Sequence, residues 1–165
     1  MAKVILICGK ICSGKTRYAK YFLKTNSAVS LSVDEIMIAL FGTDVGTNHD
    51  LFVQKTQDYL YKKAVEIIES GIDVILDWGF WTQQDRTAAT VFFKEHDIIF
   101  EWHYMDVSDE ILCKNLRKRN REIVENQILF YYFDDSTAKR FWNMFEPPEK
   151  SEIDVWNSNQ TCIKP

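Results

Sequence analysis

Apolar residues follow two patterns along the chain: short continuous runs, and longer stretches in which they recur every three or four positions. The runs are rich in β-branched and aromatic residues, which is typical of buried strands. They predict five strands, at residues 3–8, 28–33, 72–76, 97–105 and 153–156.

The recurring pattern predicts helices between these strands. We expect them at residues 16–25, 34–41, 53–70, 82–95, from 108 onwards and at 137–145. Thr82 and Asp85 have the spacing of a capping box, and Gly71 and Pro147 are residue types that end helices. Strands that alternate with helices predict an α/β fold, a mostly parallel five-stranded sheet covered by helices on both faces.

One stretch lacks a clear period. Residues 122–135 are expected to form an irregular, mobile connection within a short lid over residues 114–136. No repeat or linker divides the chain, so its 165 residues are expected to form a single domain.

The most specific motif, G-x-x-x-x-G-K-T, lies between the first strand and the first helix. Its glycines allow the backbone to curl so that successive N–H groups point at phosphate oxygens. In this Walker A pattern the lysine reaches the β- and γ-phosphates and the threonine hydroxyl ligates Mg²⁺. A glycine-bearing turn is the structural alternative, but the strand–loop–helix context favours nucleotide binding. The nucleotide-binding candidates are Gly9, Lys10, Ile11, Cys12, Ser13, Gly14, Lys15 and Thr16.

Two carboxylates follow the next two strands, Asp34 after the second and Asp77 after the third. Because ligands gather at the carboxyl ends of parallel strands, we expect both to converge with the phosphate loop. Asp34 is predicted to be the general base that takes the proton of an acceptor hydroxyl. Capping of the following helix is the structural alternative for Asp34. Asp77 is predicted to hold Mg²⁺ together with Thr16, or to orient the acceptor.

Aromatic residues come directly after Asp77. Trp78 and Trp81 are candidates for the wall of an acceptor pocket, since such pockets are largely apolar and aromatic. Core packing explains them equally well. Arg86, early in the next helix, is a candidate to clamp a phosphate or an acceptor anion. An exposed arginine on the helix surface fits the sequence equally well.

Five of the eight residues from 114 to 121 are basic. Phosphoryl transfer uses one or two guanidinium groups against the transferring phosphate, and this cluster directly precedes the irregular stretch. Arg119 is therefore the leading candidate for a catalytic arginine in the lid, followed by Arg121 and Arg117. Most of the remaining charges fit a solvated helix surface.

The composition changes this picture little. With 46% apolar residues, 27% charged residues and a net charge of −4, the chain has the balance of an ordinary soluble domain, and its acidity disfavours non-specific nucleic-acid binding. Its cysteines, at 8, 12, 113 and 162, lack the spacing of a metal site and are expected to be reduced thiols. No apolar run approaches the roughly 18 residues of a membrane span, so we expect a cytoplasmic protein without membrane contact. The oligomeric state is not predicted.

These residues together resemble the small P-loop kinases of the zeta-toxin, chloramphenicol phosphotransferase and polynucleotide kinase group. The resemblance rests on residues 9–16, Asp34, residues 74–77, Arg86, Arg119, residues 145–148 and Glu152. It implies a three-layer P-loop NTPase fold of the nucleoside-monophosphate-kinase type, with ATP and Mg²⁺ as cofactors. It also implies that Asp34 is the base, that Lys15 binds the phosphates and that Arg119 acts from the lid.

Two positions depart from that group. A second lid arginine is frequent four residues before the first, where this chain has Asn115, and polynucleotide kinases share an arginine three residues after the base, where it has Met37. Three hypotheses follow: phosphotransfer from ATP to a hydroxyl of a small molecule, 5′-hydroxyl polynucleotide kinase activity, and a nucleotide-dependent switch without transfer. The base, the lid arginine and the aromatic residues favour the first, whereas Met37 and the acidic charge disfavour the second.

Overall fold

A parallel sheet of five strands forms the centre of the computed structural model, which describes residues 1–158. The strands are β1 (Val4–Cys8), β2 (Ala28–Leu31), β3 (Asp73–Gly79), β4 (Phe100–Asp106) and β5 (Val155–Ser158). Their order is β2-β3-β1-β4-β5, and all four pairings are parallel. Because β1 lies between β3 and β4, its continuous apolar run is buried at every position. Cys162 lies outside the described residues.

Helices cover both faces of this sheet, as predicted. Within residues 1–158 they are α1 (Lys15–Thr25), α2 (Val33–Phe41), α3 (His49–Glu69), α4 (Gln83–Glu95), α5 (Asp109–Asn126) and α6 (Asp135–Met144). Short 3₁₀ turns lie at Gly46–Asn48 and Lys150–Glu152. Ala64 of α3 and Phe93 of α4 pack on one face of the sheet, and Ala19 of α1 packs on the other. None of these helices has the length and apolar character needed to cross a membrane.

The start of α2 differs from the prediction. Strand β2 ends at Leu31, and Ser32 caps the helix by accepting a hydrogen bond from the Glu35 N–H at 3.3 Å. Asp34 therefore lies in the first turn of α2 rather than directly at the end of the strand. Since Ser32 is the cap, helix capping does not explain Asp34.

Other helix and strand boundaries differ from the predicted ones by a few residues. Residues 122–126, predicted to be irregular, complete α5, which ends where Gln127 adopts a left-handed backbone with a φ of 50°. Strand β5 begins at Val155 rather than at residue 153. The predicted capping box of α4 is confirmed, because Asp85 N–H donates to Thr82 Oγ1 at 3.0 Å and Thr82 N–H donates to Asp85 Oδ2 at 3.1 Å.

Candidate active site

A cleft of about 2250 Å³ opens at the carboxyl end of the sheet. It is lined by the loop between β1 and α1, by α2, by the first half of α3, by the turn between β3 and α4, and by α5, residues 128–133 and α6. Pockets for a single small ligand commonly measure about 300–1,000 Å³. The cleft therefore has room for a nucleotide and a second substrate.

The loop of residues 9–16 has the shape of a phosphate cradle. Gly9 admits no side chain, because a Cβ there would lie 2.8 Å from Ser13 Oγ and 3.1 Å from Met105 O. Helix α1 begins after Gly14 without a side-chain cap, so that the N–H groups of its first turn are open to an anion. Within the described residues, the buried Ser13 hydroxyl also has no hydrogen-bond partner. These features fit a bound phosphate chain.

Two side chains from distant helices hold this loop. Asn115 Nδ2 donates to Cys12 O at 2.9 Å, and Trp142 Nε1 donates to Ile11 O at 3.1 Å. Cys12 itself has a left-handed backbone with a φ of 62°. Asn115, which stands where the resembling kinases often have a second lid arginine, thus binds the phosphate loop. Trp142 was not identified from the sequence, because nothing near it in the chain marks a binding role.

Lys15 reaches back across the loop, where its Nζ donates to Gly9 O at 3.0 Å and to Lys10 O at 2.9 Å. Burial lowers the pKa of Lys15, and the nearby carboxylates of Asp77 and Asp34 oppose that shift. The amine therefore lies in a partly desolvated position in which its charge acts strongly on neighbouring groups.

Asp34 lies at the meeting point of the predicted catalytic residues. The protein around its carboxylate excludes water and raises its pKa, Lys15 opposes that rise, and Asp77 adds to it. Arg119 and His49 are also close enough to act on the Asp34 charge. The structure thus brings together Lys15, Asp34, Asp77 and Arg119 from four separate segments.

Asp77 and Thr16 are the candidate metal ligands. Asp77, at the end of β3, is only 8% exposed, and both side chains line the cleft. No group of three or more histidine, cysteine or acidic side chains within residues 1–158 is arranged to hold a metal ion. Mg²⁺ at nucleotide sites is commonly held by one or two side chains and by the phosphates, so the pair fits such a site.

Arg119 connects residues 130–133 to the phosphate loop. Its guanidinium lies over the rings of Phe130 and Phe133, with centroid distances of 4.5 and 5.3 Å. It also donates to Tyr131 O, and its Nη1 lies 3.7 Å from Cys12 Sγ. The two phenylalanine rings therefore orient this arginine towards the loop.

Arg117 and Arg121 do not line the cleft. Both are exposed and border a second, shallow groove beside Glu110 and Lys114. Residues four apart share one side of a helix, whereas Arg119 lies two positions from each and therefore on another side. The structure thus brings only Arg119 of these three candidates to the phosphate loop.

Arg86 was expected either to clamp an anion or to be exposed on the helix surface, and the structure shows neither. It is 2% exposed and does not line the cleft. Its Nε donates to Glu152 Oε2 at 2.9 Å, and its Nη1 donates to Glu146 O at 2.9 Å and to Phe80 O at 3.4 Å. Arg86 is therefore neither a surface arginine nor directed at a ligand, and it joins the turn after β3 to residues 146–152.

Trp78 and Trp81 are packed against other rings and also border the cleft. Both line the cleft. Trp78 Nε1 donates to Leu31 O at 3.0 Å, and its ring meets that of Tyr61 edge to face at 4.7 Å. Trp81 packs against Phe141 at 5.4 Å. Each ring is thus fixed by packing while part of it faces the cleft.

Among the cleft residues missed from the sequence are Asp58, Tyr61 and Arg140. Asp58 and Tyr61 lie three positions apart on α3, and this spacing indicates that they share one side of the helix. It does not indicate that this side faces the cleft. Arg140, on α6, gave no local signal because the fold alone carries α6 to the cleft.

A Walker A loop directly after the central strand of a parallel sheet in the order 2-3-1-4-5 defines a P-loop NTPase of the kinase type. The model of the AAA_33 family, described as AAA domain, matches residues 4–131. The chain therefore belongs to this family. A search of curated proteins found no match.

Solved structures share this fold. The APS kinase CysC of Mycobacterium tuberculosis, in complex with AMPPNP and APS, is 14% identical with a TM-score of 0.57, over 96% of this chain and 89% of that one. Kti12 of Chaetomium thermophilum, in complex with ADP-AlF3, is 14% identical with a TM-score of 0.65, over 94% of this chain and 87% of that one.

A chain of the Pnkp1/Rnl/Hen1 RNA repair complex is 16% identical with a TM-score of 0.70. The alignment covers 87% of this chain but 43% of that one, so this chain spans less than half of that relative. At such identities these similarities show the fold, which is that of P-loop kinases.

Proposed function

We propose that the protein is an ATP-dependent phosphotransferase that moves the γ-phosphoryl group of ATP to a hydroxyl of a small molecule. The observation that carries this proposal is the position of Asp34, whose carboxylate acts on Lys15 and Arg119 across the cleft. A carboxylate between a phosphate-binding lysine and a lid arginine is suited to align an acceptor hydroxyl with a terminal phosphate.

In this proposal residues 9–16 bind the triphosphate through backbone N–H groups, and the Lys15 amine binds the β- and γ-phosphates. Thr16 and Asp77 would hold Mg²⁺, which when bound offsets the negative charge of the phosphates. The curled loop, the uncapped start of α1 and the unpartnered Ser13 hydroxyl support this assignment.

Asp34 acts as the general base. Its pKa is raised by the surrounding protein, and a carboxylate with a raised pKa is a stronger base once it is ionised. Arg119 stabilises the charge that develops on the transferring group, and its stacking on Phe130 and Phe133 fixes the direction of the guanidinium. Trp78 and Trp81 form part of the wall against which the acceptor lies.

The test is transfer of labelled γ-phosphate from ATP, in the presence of Mg²⁺, to a pool of small hydroxyl metabolites and antibiotics. Asp34→Asn should keep nucleotide binding and cut transfer by about 10²–10⁴, the usual contribution of a general base. Glu35→Gln, the adjacent carboxylate at the cleft, is the matched control and should keep most of its activity. Full transfer by Asp34→Asn would remove Asp34 from the base role.

The same assay separates the other two hypotheses. A parallel pool of 5′-hydroxyl oligonucleotides detects polynucleotide kinase activity, whose affinity should fall steeply with salt. Tight ATP binding without labelled product in either pool would favour a nucleotide-dependent switch. The fold is compatible with all three functions. The position of Asp34 favours transfer chemistry over a switch, and Met37 and the acidic net charge disfavour a nucleic-acid acceptor.

A further inference from the structure

The carbonyl groups of the phosphate loop are held by side chains. Four consecutive carbonyl oxygens, those of residues 9–12, each accept a hydrogen bond from a side chain at 2.9–3.1 Å. Lys15 Nζ donates to the first two, Trp142 Nε1 to the third and Asn115 Nδ2 to the fourth. Because the C=O and N–H of a trans peptide point in opposite directions, fixing these carbonyls also fixes the N–H groups that follow them.

The Lys15 amine cannot keep both of its carbonyl partners in the proposed nucleotide complex. A lysine amine has three N–H donors. Two of them are used on Gly9 O and Lys10 O, and contact with both the β- and the γ-phosphate requires two donors as well. At least one of these carbonyls therefore loses its partner when the amine binds the phosphates. The shape of the loop then depends on the donors from Asn115 and Trp142.

These two donors come from helices that share one apolar cluster. Trp142 of α6 is 7% exposed and belongs to a buried cluster with Leu112 and Leu116 of α5. The side chains of Ile11 and Cys12 pack against the same cluster. The tip of the loop is thus attached to α5 and α6 both by apolar packing and by hydrogen bonds to its carbonyls.

The backbone of Cys12 independently indicates that this attachment matters. Cys12 has a left-handed φ of 62°, which a residue other than glycine rarely adopts and which persists only where its surroundings hold it. Asn115 binds the carbonyl of Cys12, and Arg119 Nη1 lies 3.7 Å from its sulfur. Asn115 and Arg119 are four positions apart and share one side of α5. This side of the helix therefore contacts Cys12 at two atoms.

We propose that Asn115 and Trp142 are positioning residues for ATP, which keep residues 11 and 12 in the phosphate-binding shape while the Lys15 amine exchanges carbonyls for phosphates. They act through the loop and do not touch the nucleotide. This inference rests on the proposed function, because it concerns ATP binding at the same site. Asn115 has a second effect, since it also sets the distance between the loop and Arg119 on the same side of α5.

Trp142→Phe keeps an aromatic ring in the apolar cluster and removes only the N–H donor to Ile11 O. It should weaken the binding of ATP with Mg²⁺ about fivefold, the equivalent of one neutral hydrogen bond. Inorganic tripolyphosphate with Mg²⁺ should lose the same factor, because the loop contacts only the phosphates. Calorimetric titration measures both affinities. Trp156→Phe, which removes an indole donor to Asp106 on β4, is the matched control and should bind both normally.

Asn115→Ala should also weaken ATP and tripolyphosphate about fivefold, and in addition lower kcat about tenfold, because Arg119 is then less well placed against the transferring group. Trp142→Phe should raise the KM for ATP while kcat at saturating ATP changes less than twofold. Asn126→Ala, at the exposed end of α5, is the control for Asn115 and should change neither constant. Urea denaturation of all four variants verifies that they are folded under the assay conditions.

The outcomes distinguish this inference from the proposed function. Affinities for ATP and tripolyphosphate within twofold of those of the unmodified protein would overturn the positioning role, and so would a loss for ATP that tripolyphosphate does not share. Equal kcat values in Asn115→Ala and Trp142→Phe would overturn the effect of Asn115 on Arg119. Absence of labelled product in every pool would overturn the kinase proposal, whereas the calorimetric comparison would still decide whether the two residues position the loop.

Discussion

The two halves of the cleft are built in different ways. The nucleotide side is one continuous segment, residues 9–16, in which backbone N–H groups and a single lysine face the site. The side proposed to bind the acceptor is assembled from α2, α3 and the turn after β3, which contribute side chains more than 50 positions apart in sequence, from Asp34 to Asp85.

This difference follows from what each side is expected to bind. A phosphate chain is similar in every nucleotide, so a local backbone geometry is sufficient to recognise it. Acceptors differ in shape and charge, and side chains on separate elements can vary without disturbing the loop. The nucleotide side therefore indicates the class of chemistry, whereas the side proposed for the acceptor would set the choice of substrate.

Loss of Lys15 should have the largest effect, confined to the nucleotide side. Lys15→Ala removes a partly buried cation from the expected position of the phosphates and should weaken ATP binding by about 10³-fold, equivalent to about 4 kcal/mol. Calorimetric titration with ATP and Mg²⁺ measures this change. Lys24→Ala, in the last turn of α1, is the control and should bind normally. Equal ATP affinities of Lys15→Ala and the unmodified protein would show that the loop binds phosphate without its lysine.

A substitution of Arg86 tests how firmly the turn after β3 is held to residues 146–152. Arg86→Met leaves Glu152 without its ion pair and the Phe80 and Glu146 carbonyls without a donor, so it should reduce the free energy of unfolding by about 3–5 kcal/mol. Urea denaturation measures the loss. The exposed Arg121→Met serves for comparison and should lie within about 0.5 kcal/mol of the unmodified protein. Equal urea midpoints for Arg86→Met and Arg121→Met would contradict the role of Arg86 in joining the turn after β3 to residues 146–152.

Arg119 connects the two sides. Arg119→Ala should lower kcat by about a hundredfold while the affinity for ATP changes little, because the guanidinium is expected to act on the transferring group. Arg117→Ala, on another side of the same helix, should leave kcat unchanged. Steady-state kinetics with the identified acceptor decide between the two. A larger loss in Arg117→Ala would place the catalytic arginine on the outer side of α5.

The smallest effect concerns pH. The raised pKa of Asp34 means that the folded protein holds this proton to a higher pH than an unperturbed aspartate does, and the base must be ionised to act. kcat should therefore rise with pH and level off above the raised pKa, with a fall of about tenfold per pH unit below it. A pH–rate profile at saturating ATP measures the acidic limb. A limb centred on the ordinary aspartate value of about 3.9 would contradict the assigned surroundings of Asp34.

Elements with a strong local signal were predicted well. The apolar run of β1, the capping box at Thr82 and the Walker A loop each depend on neighbouring residues, and each lies where expected. Elements that depend on distant partners were predicted less well. Arg86 was read from its helix position alone, and its partners Glu146 and Glu152 lie 60 and 66 positions away.

The sequence alone determined the class of this protein, because a phosphate cradle, a buried strand and a helix start are encoded within a few adjacent residues. It also fixed the alternation of strands and helices that leads to a parallel sheet. The tertiary structure decided which arginine faces the loop, that Asn115 and Trp142 hold it, and that α2, α3 and the turn after β3 line the cleft with carboxylates. These features depend on the packing of helices distant in sequence, since the direction of a side chain is set by the rotation of its helix against the rest of the fold.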